Sequence, residues 1–187
     1  MRLMMDVEIG RRRLLRGAVM TGVGLLGASA AMGATPEQRL AFRNIHTNET
    51  FDARFFGANG WDSQGLAELN HGLRDWRNNQ STSMDRELLV LLSRLRDRLG
   101  VAPQAKIDLI SGYRSPVTNA ALRERGGAHT GVATKSQHML GKATDIRMPG
   151  VGLDRLHLAA LSLKAGGVGY YPHDGFVHVD TGRVRAW

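Results

Sequence analysis

The stretch SQHMLGKATDIRMPG, residues 136–150, places His138 and Asp145 seven positions apart with Gly141 between them. On one continuous helix seven residues rise about 10 Å, which is too far for both side chains to bind one small ion. Gly141 and the β-prone run ATDIRM also disfavour such a helix. We therefore predict a turn around Gly141 and a strand from about Ala143, which would bring the carboxylate back beside the imidazole.

A second polar pair lies further along the chain, in FVHVDTG at residues 176–182. Side chains alternate along a strand, so His178 and Asp180 would share one face, about 7 Å apart along the backbone. The flanking Val177 and Val179 would then point into a core. This alternation predicts a strand with one polar face that lines a cleft.

Three of these side chains are candidates for a metal site: His138, Asp145 and His178. Two imidazole nitrogens and one carboxylate oxygen leave a fourth tetrahedral position open, as in catalytic rather than structural zinc sites. The sequence contains no cysteine, so any metal would have to be held by His, Asp and Glu. Spacing alone leaves the alternative open that the histidines only hydrogen-bond and that Asp145 caps a turn.

The first 34 residues have the layout of a cleavable export signal. A basic cluster at residues 11–13 precedes an uncharged stretch, rich in Gly and Ala, at residues 17–34. The run RRRLLR at residues 11–16 resembles the twin-arginine export motif. A membrane anchor or a basic tail is the alternative, but the uncharged stretch is short and glycine-rich for a membrane span. We predict export to the periplasm by the twin-arginine route, with membrane contact only during export.

Length and charge suit one folded domain over residues 35–187. The chain of 187 residues is 42% hydrophobic and 22% charged, an ordinary globular balance. Its net charge is +8; five arginines and two acidic residues place +3 of this charge in the first 34 residues, which leaves +5 for the remainder. A basic exported domain suits an acidic partner such as a cell-wall polymer, whereas an export signal speaks against nucleic acid.

The remaining pattern predicts an α+β domain with a small, mostly antiparallel sheet that carries the site and is flanked by helices. We expect a hairpin at about residues 40–57, helices over 63–79, 84–100, 116–125 and from 153, and strands near 107–109 and 143–148. Residues 167–182 are expected to form two strands joined by a turn near residues 174–175. Gly100 stands where a helix C-cap belongs. A leucine stripe in the second helix is assigned to the core: Leu88, Leu91, Leu92, Leu95 and Leu99.

The motifs in combination resemble those of a known enzyme superfamily. SQHMLGKATD fits the pattern Ser-x-His-x-x-Gly-x-Ala-x-Asp, HVD fits a downstream His-x-Asp, and SGYRS at residues 111–115 precedes both. Together they resemble the zinc peptidases of the D-alanyl-D-alanine carboxypeptidase and dipeptidase superfamily, and most closely its YcbK-like murein endopeptidase branch. The resemblance extends from about Phe42 to Trp187 and includes GVGYY and the closing FVHVDTGRVRAW.

The resemblance implies roles for individual residues. His138, Asp145 and His178 correspond to the zinc ligands of the family. Arg114 corresponds to an arginine that faces the substrate carbonyl, where a guanidinium would stabilise the developing oxyanion; a surface arginine in a turn is the alternative. Ser136 matches a motif position and is expected either to hydrogen-bond within the site or to hold the loop.

One departure from the family concerns the general base. Several relatives place a Glu or His two or three residues before the last ligand, where this chain has Phe176 and Gly175. The replacement candidates are Asp180, on the same strand face as His178, and His173, just before the turn. Asp180 has an alternative role as a neighbour that orients a ligand or holds the closing turn.

The resemblance thus implies a zinc-dependent murein endopeptidase that hydrolyses cross-links between the stem peptides of peptidoglycan. Two alternatives remain at this point. One is a D-alanyl-D-alanine carboxypeptidase that trims a terminal residue. The other is a metal-binding cell-wall protein without catalysis, which the missing upstream base favours. The sequence predicts neither the bond that is cut nor the oligomeric state.

Overall fold

The computed structural model describes residues 37–126 and 131–187, so the predicted export signal at residues 1–34 lies outside the described residues. Within these ranges the chain forms eight strands and four α-helices. The strands are β1 Gln38–Asn44, β2 Thr50–Gly57, β3 Gly60–Trp61, β4 Lys106–Ser111, β5 Ala143–Arg147, β6 Gly167–Tyr171, β7 Phe176–Asp180 and β8 Arg185–Ala186. The helices are α1 Ser63–Gly72, α2 Arg86–Arg98, α3 Pro116–Gly126 and α4 Leu153–Leu163.

All eight strands of the described part join one sheet in the order β3-β2-β1-β4-β5-β7-β6-β8. Five of the seven pairings between these strands are antiparallel, and β1–β4 and β6–β8 are parallel. The α+β class and the mostly antiparallel character are therefore confirmed. The sheet is mixed and larger than predicted, because the N-terminal hairpin pairs through β1 with β4 and so extends the sheet that carries the site.

The leucine stripe of α2 lies in the core, as predicted. Leu88, Leu92 and Leu95 are fully buried against the sheet, together with Phe42 and Ile107 from the paired strands β1 and β4. Asp85 caps the helix by accepting from the Glu87 amide at 3.0 Å. Gly100 follows the helix with a φ of +69°, which a glycine adopts without strain.

Helix α1 is shorter than the predicted range 63–79, because it ends at Gly72. A Cβ at Gly72 would lie 2.4 Å from the Phe51 ring, so the residue permits close packing on β2. The chain then turns, and the buried Asp75 accepts from the Ser115 amide at 2.9 Å. The apolar spacing that continues to Trp76 belongs to this turn, where the indole stacks on His46.

The N-terminus of α2 is hydrogen-bonded to two loops, one before β5 and one after β7. The Asp85 amide donates to the Gly141 carbonyl at 2.9 Å. The Thr181 hydroxyl donates to the Asp85 carboxylate at 2.7 Å. No helix among the described residues combines the length and the apolar character that crossing a membrane requires.

Candidate metal centre

His138 is held by a short 3-10 helix, Gln137–Leu140, in front of strand β5. Ser136 caps this helix, since its hydroxyl accepts from the His138 amide at 3.3 Å. Gly141 ends it with a φ of +66°, and a Cβ there would lie 2.8 Å from the Ser83 carbonyl oxygen. The predicted turn at Gly141 is thus present, and only glycine fits it without displacing the neighbouring loop.

Asp145 and His178 meet because their strands pair. In the antiparallel β5–β7 register Asp145 lies directly opposite His178, so both side chains project from the same face of the sheet. The turn at Gly141 brings His138 over this pair. His138 Nε2 lies 3.2 Å from Asp145 Oδ1 and 3.2 Å from His178 Nδ1, and His178 Nδ1 lies 2.8 Å from Asp145 Oδ1. The structure therefore brings the three predicted ligands together.

The other ring nitrogens decide which atoms face this cluster. His138 Nδ1 lies 2.7 Å from the Gly112 carbonyl oxygen, which can accept a hydrogen bond but cannot donate one. His178 Nε2 lies 3.0 Å from Asp180 Oδ2. With their protons on these outer nitrogens, both imidazoles present lone pairs towards a carboxylate oxygen. Three acceptors in mutual contact need a proton or a cation between them, so the donor set fits a metal ion.

The pKa values of the three groups follow from the same contacts. Burial opposes ionisation of Asp145, but His138 and His178 outweigh it and hold the pKa of this carboxyl far below its usual range. Burial lowers the pKa of His138, which keeps its imidazole neutral. Burial also acts on His178, but its carboxylate neighbours Asp145 and Asp180 outweigh it and raise the pKa of the imidazole. An ionised carboxylate and a neutral imidazole are the forms that bind a metal, and the carboxylates beside His178 favour positive charge at the cluster.

A cavity of about 190 Å³ opens over the cluster. Arg114 lines it, and its guanidinium donates to Asp145 Oδ2 at 3.4 Å. Its Nε is buried and has no hydrogen-bond partner in the described part of the chain. Arg114 therefore lies beside the cluster and has an unused hydrogen-bond donor. This buried position does not fit the alternative of a solvated surface arginine.

Asp180 lies behind His178. Its side chain is fully buried, and Oδ2 faces His178 Nε2 on the side away from the cluster. Amides of Gly167 and Gly182 and the Arg185 guanidinium occupy its remaining acceptor positions. These contacts fit the alternative role of Asp180, as a neighbour that orients a ligand, better than the role of a base. The second candidate, His173, is exposed in the β6–β7 turn and is not among the described residues that line the cavity.

Several residues that line the cavity had no role in the sequence-based prediction. Phe176 lies two positions before His178 on β7, so the strand alternation could have indicated it, whereas Asp174 lies in the β6–β7 turn. Loop residues and the closing segment carry no comparable signal. Lys135 in the loop before the 3-10 helix, and Arg185 and Trp187 in the closing segment, also line the cavity.

Comparisons with known proteins agree with this geometry. The family model Peptidase_M15_2, described as peptidoglycan L,D-endopeptidase MepK, matches residues 32–187. The chain is 45% identical over 183 residues to peptidoglycan L,D-endopeptidase MepK of Escherichia coli K12, covering 96% of this chain and 98% of that protein. It is 42% identical over 179 residues to a probable peptidoglycan L,D-endopeptidase MepK of Haemophilus influenzae, covering 95% and 94%. No solved structure matches the chain significantly.

Proposed function

The chain belongs to the Peptidase_M15_2 family of peptidoglycan endopeptidases, and on that premise we propose that it uses a zinc ion to hydrolyse L,D peptide cross-links of peptidoglycan. The chain is a murein endopeptidase, as the near-complete match to its relatives indicates. Zinc and the L,D bond are the parts that the proposal adds. The same match to endopeptidases is why endopeptidase activity is preferred over a carboxypeptidase or a non-catalytic wall protein.

The observation that carries the proposal is the contact of three acceptors at the base of a cavity. His138 Nε2, Asp145 Oδ1 and His178 Nδ1 would hold the ion. Two nitrogens and one oxygen suit zinc with an open fourth position, the ligand number of catalytic sites. When bound, zinc would polarise the scissile carbonyl and increase the acidity of water.

Arg114 is proposed to stabilise the oxyanion that forms when water adds to the scissile carbonyl. Its guanidinium is nearly buried, with 11% of the side chain exposed, and it is oriented by Asp145. A charge that is already in place costs no reorganisation when the oxyanion develops. Removal of one such donor lowers kcat by about 10²–10³ in comparable sites.

Ser136 and Asp180 are proposed to position the ligands rather than to react. Ser136 fixes the first turn of the 3-10 helix through the His138 amide. Asp180 holds the outer nitrogen of His178, as carboxylates commonly do for metal-bound histidines. Together they set the direction in which both imidazoles present their lone pairs.

Asp174 is proposed to take the proton of the attacking water. Among the described residues that line the cavity, it is the carboxylate outside the ligand set, and its side chain makes no hydrogen bond or ion pair there. In the step, the water oxygen bonds to the carbonyl carbon while one water proton passes to the Asp174 carboxylate. The C–N bond of the peptide then breaks, and that proton goes to the departing amine nitrogen. The variant Asp174→Asn should retain zinc and substrate binding but lose about 10²-fold or more in kcat, whereas His173→Gln should match the wild type.

We place this activity in the periplasm, with the stem peptides of peptidoglycan as partner. Support comes from the arginine cluster at residues 11–13 and the uncharged stretch that follows it. Arg114, Lys135 and Arg185 give the cavity a cationic lining that suits the carboxylates of stem peptides, including those of meso-diaminopimelate. No nucleic acid partner is proposed.

Digestion of purified peptidoglycan tests the proposal. Residues 35–187 are incubated with sacculi, with a chelator, and with the chelator followed by zinc, and the products are separated by liquid chromatography and mass spectrometry. We expect loss of L,D cross-linked dimers that the chelator blocks and zinc restores. Release of single D-alanine residues would establish the carboxypeptidase instead. Unchanged peptidoglycan from a protein that holds zinc would establish the non-catalytic alternative.

A further inference from the structure

The last residues of the chain fold back onto the metal centre. Strand β8 pairs in parallel with β6, with Arg185 opposite Gly167. The Arg185 guanidinium donates to both oxygens of Asp180, at 3.1 and 2.6 Å. It also lies 4.8 Å above the Trp187 ring, whose centroid is 5.3 Å from that of His178. The closing segment thus reaches the ligand His178 both through Asp180 and directly.

Two glycines of β6 leave the space that this arrangement requires. A Cβ at Gly167 would lie 2.4 Å from Arg185 Nη1 and 2.5 Å from Asp180 Oδ2. A Cβ at Gly169, directly opposite His178 in the sheet, would lie 2.7 Å from the Trp187 ring. Any side chain at either position would displace the ion pair or the indole, so β6 is shaped around them.

We propose that Arg185 is a positioning residue of the metal centre, which holds Asp180 and through it fixes the orientation and the tautomer of His178. The inference rests on the proposed metal-dependent function. It assigns to the closing segment a task in metal binding, in addition to its place at the edge of the sheet.

The chemistry of Asp180 explains why an arginine is needed. The carboxylate is fully buried, and a buried charge is stable only when donors surround it. Arg185 supplies two donors in the planar geometry that a carboxylate matches, beside the amides of Gly167 and Gly182. With the carboxylate fixed, Oδ2 accepts from His178 Nε2, and the lone pair of His178 Nδ1 points to the cluster.

Arg183 provides a matched control within the same segment. It lies two positions before Arg185 and is exposed, and its side chain makes no hydrogen bond or ion pair within the described ranges. Arg183→Met and Arg185→Met therefore remove the same charge from the same segment. Only the second removes donors from Asp180.

The test measures zinc affinity of the whole chain by competition with a chromophoric chelator. Arg185→Met should weaken zinc binding by about 10-fold, the low end of the range for loss of a residue that supports a metal ligand, and Arg183→Met should stay within about twofold. Arg185→Lys keeps the charge but not the paired donors, so it should fall between them. Replacing zinc by cobalt adds a spectroscopic readout, since a reoriented His178 would change the visible bands of cobalt in the Arg185 variants.

The outcomes separate the inference from the function it rests on. Wild-type affinity and an unchanged cobalt spectrum in both Arg185 variants would overturn it. If Arg185→Met does not fold, as melting without metal would show, Arg185→Lys decides by the same two readouts. A wild-type chain that binds neither zinc nor cobalt would instead overturn the proposed metal dependence.

Discussion

The two faces of the β5–β7 strand pair are buried almost equally, yet they are stabilised by opposite means. On one face Ile146, Val177 and Val179 are at most 1% exposed and pack in the hydrophobic core. On the other, Asp145 and His178 are no more than 8% exposed and are held by hydrogen bonds and charge. One pair of strands thus contributes to both the core and the candidate metal centre.

The difference shows that a buried polar face needs more specific contacts than a buried apolar face. An apolar side chain needs only shape and volume, and similar residues can replace it at modest cost. A buried carboxylate or imidazole needs a partner for each polar atom. Gly112 and Asp180 satisfy the outer nitrogens of the histidines, which leaves the inner atoms for a cation. Substitutions on the two faces should therefore differ in what they affect.

Asp145→Ala should have the largest effect, because it removes the ligand that contacts both histidines. We expect loss of bound zinc by metal analysis and no detectable cleavage of cross-links. Zinc affinity should fall by more than the roughly 100-fold that marks the upper range for residues supporting a ligand. A variant that retained stoichiometric zinc would contradict the assignment of Asp145.

Arg114→Met should have the next largest effect, and it should lower turnover even when zinc saturates the site. Loss of a donor to the oxyanion lowers kcat by about 10²–10³, whereas loss of the contact with Asp145 should weaken zinc binding by about 10-fold, which excess zinc offsets. Steady-state kinetics on a soluble cross-linked muropeptide measure the effect. An unchanged kcat would support the alternative that Arg114 has no part in the reaction.

Asp180→Asn should have a smaller effect, directed at metal binding. The amide preserves the shape but removes the charge that Arg185 and His178 both contact. Zinc affinity should fall by about 10-fold, at the low end for such a residue, and excess zinc should restore turnover. If turnover stayed low with the site saturated, Asp180 would have a direct part in the reaction.

Thr144→Val should have the smallest effect and the opposite sign. Thr144 lies next to Asp145 but on the core face, and its buried hydroxyl has no hydrogen-bond partner in the described part of the protein. Replacing the hydroxyl by a methyl group should raise the free energy of unfolding by about 1 kcal/mol. Denaturant unfolding measures it, and zinc affinity should not change.

Local sequence patterns were sufficient for the core face and for the polar face of the β5–β7 pair. The leucine period of α2 and the alternation in FVHVD each depend on neighbours within one element, and both are confirmed. Such local patterns do not predict the pairing of distant segments. The parallel β1–β4 pair joins residues about 65 positions apart, and no local pattern indicates it.

The role of Asp180 shows where prediction of the site ended. Alternation placed it on the face of His178, which is correct, but left open whether it reacts or supports. That choice depends on Arg185 and on the space left by Gly167, which come from different segments of the chain. Export by the twin-arginine route remains a prediction, because it concerns residues outside the described ranges.

Asp85 connects helix α2, which supplies none of the three candidate ligands, to the loops beside the candidate metal centre. It joins the first turn of that helix to Gly141, three residues after one histidine, and to Thr181, three after the other. A metal that binds only the native state stabilises that state by RT ln(1 + [metal]/Kd). Because Asp85 links both loops to the core, opening of α2 and release of the metal should be coupled. Amide hydrogen exchange in its first turns would then slow as zinc binds on the far side of the sheet.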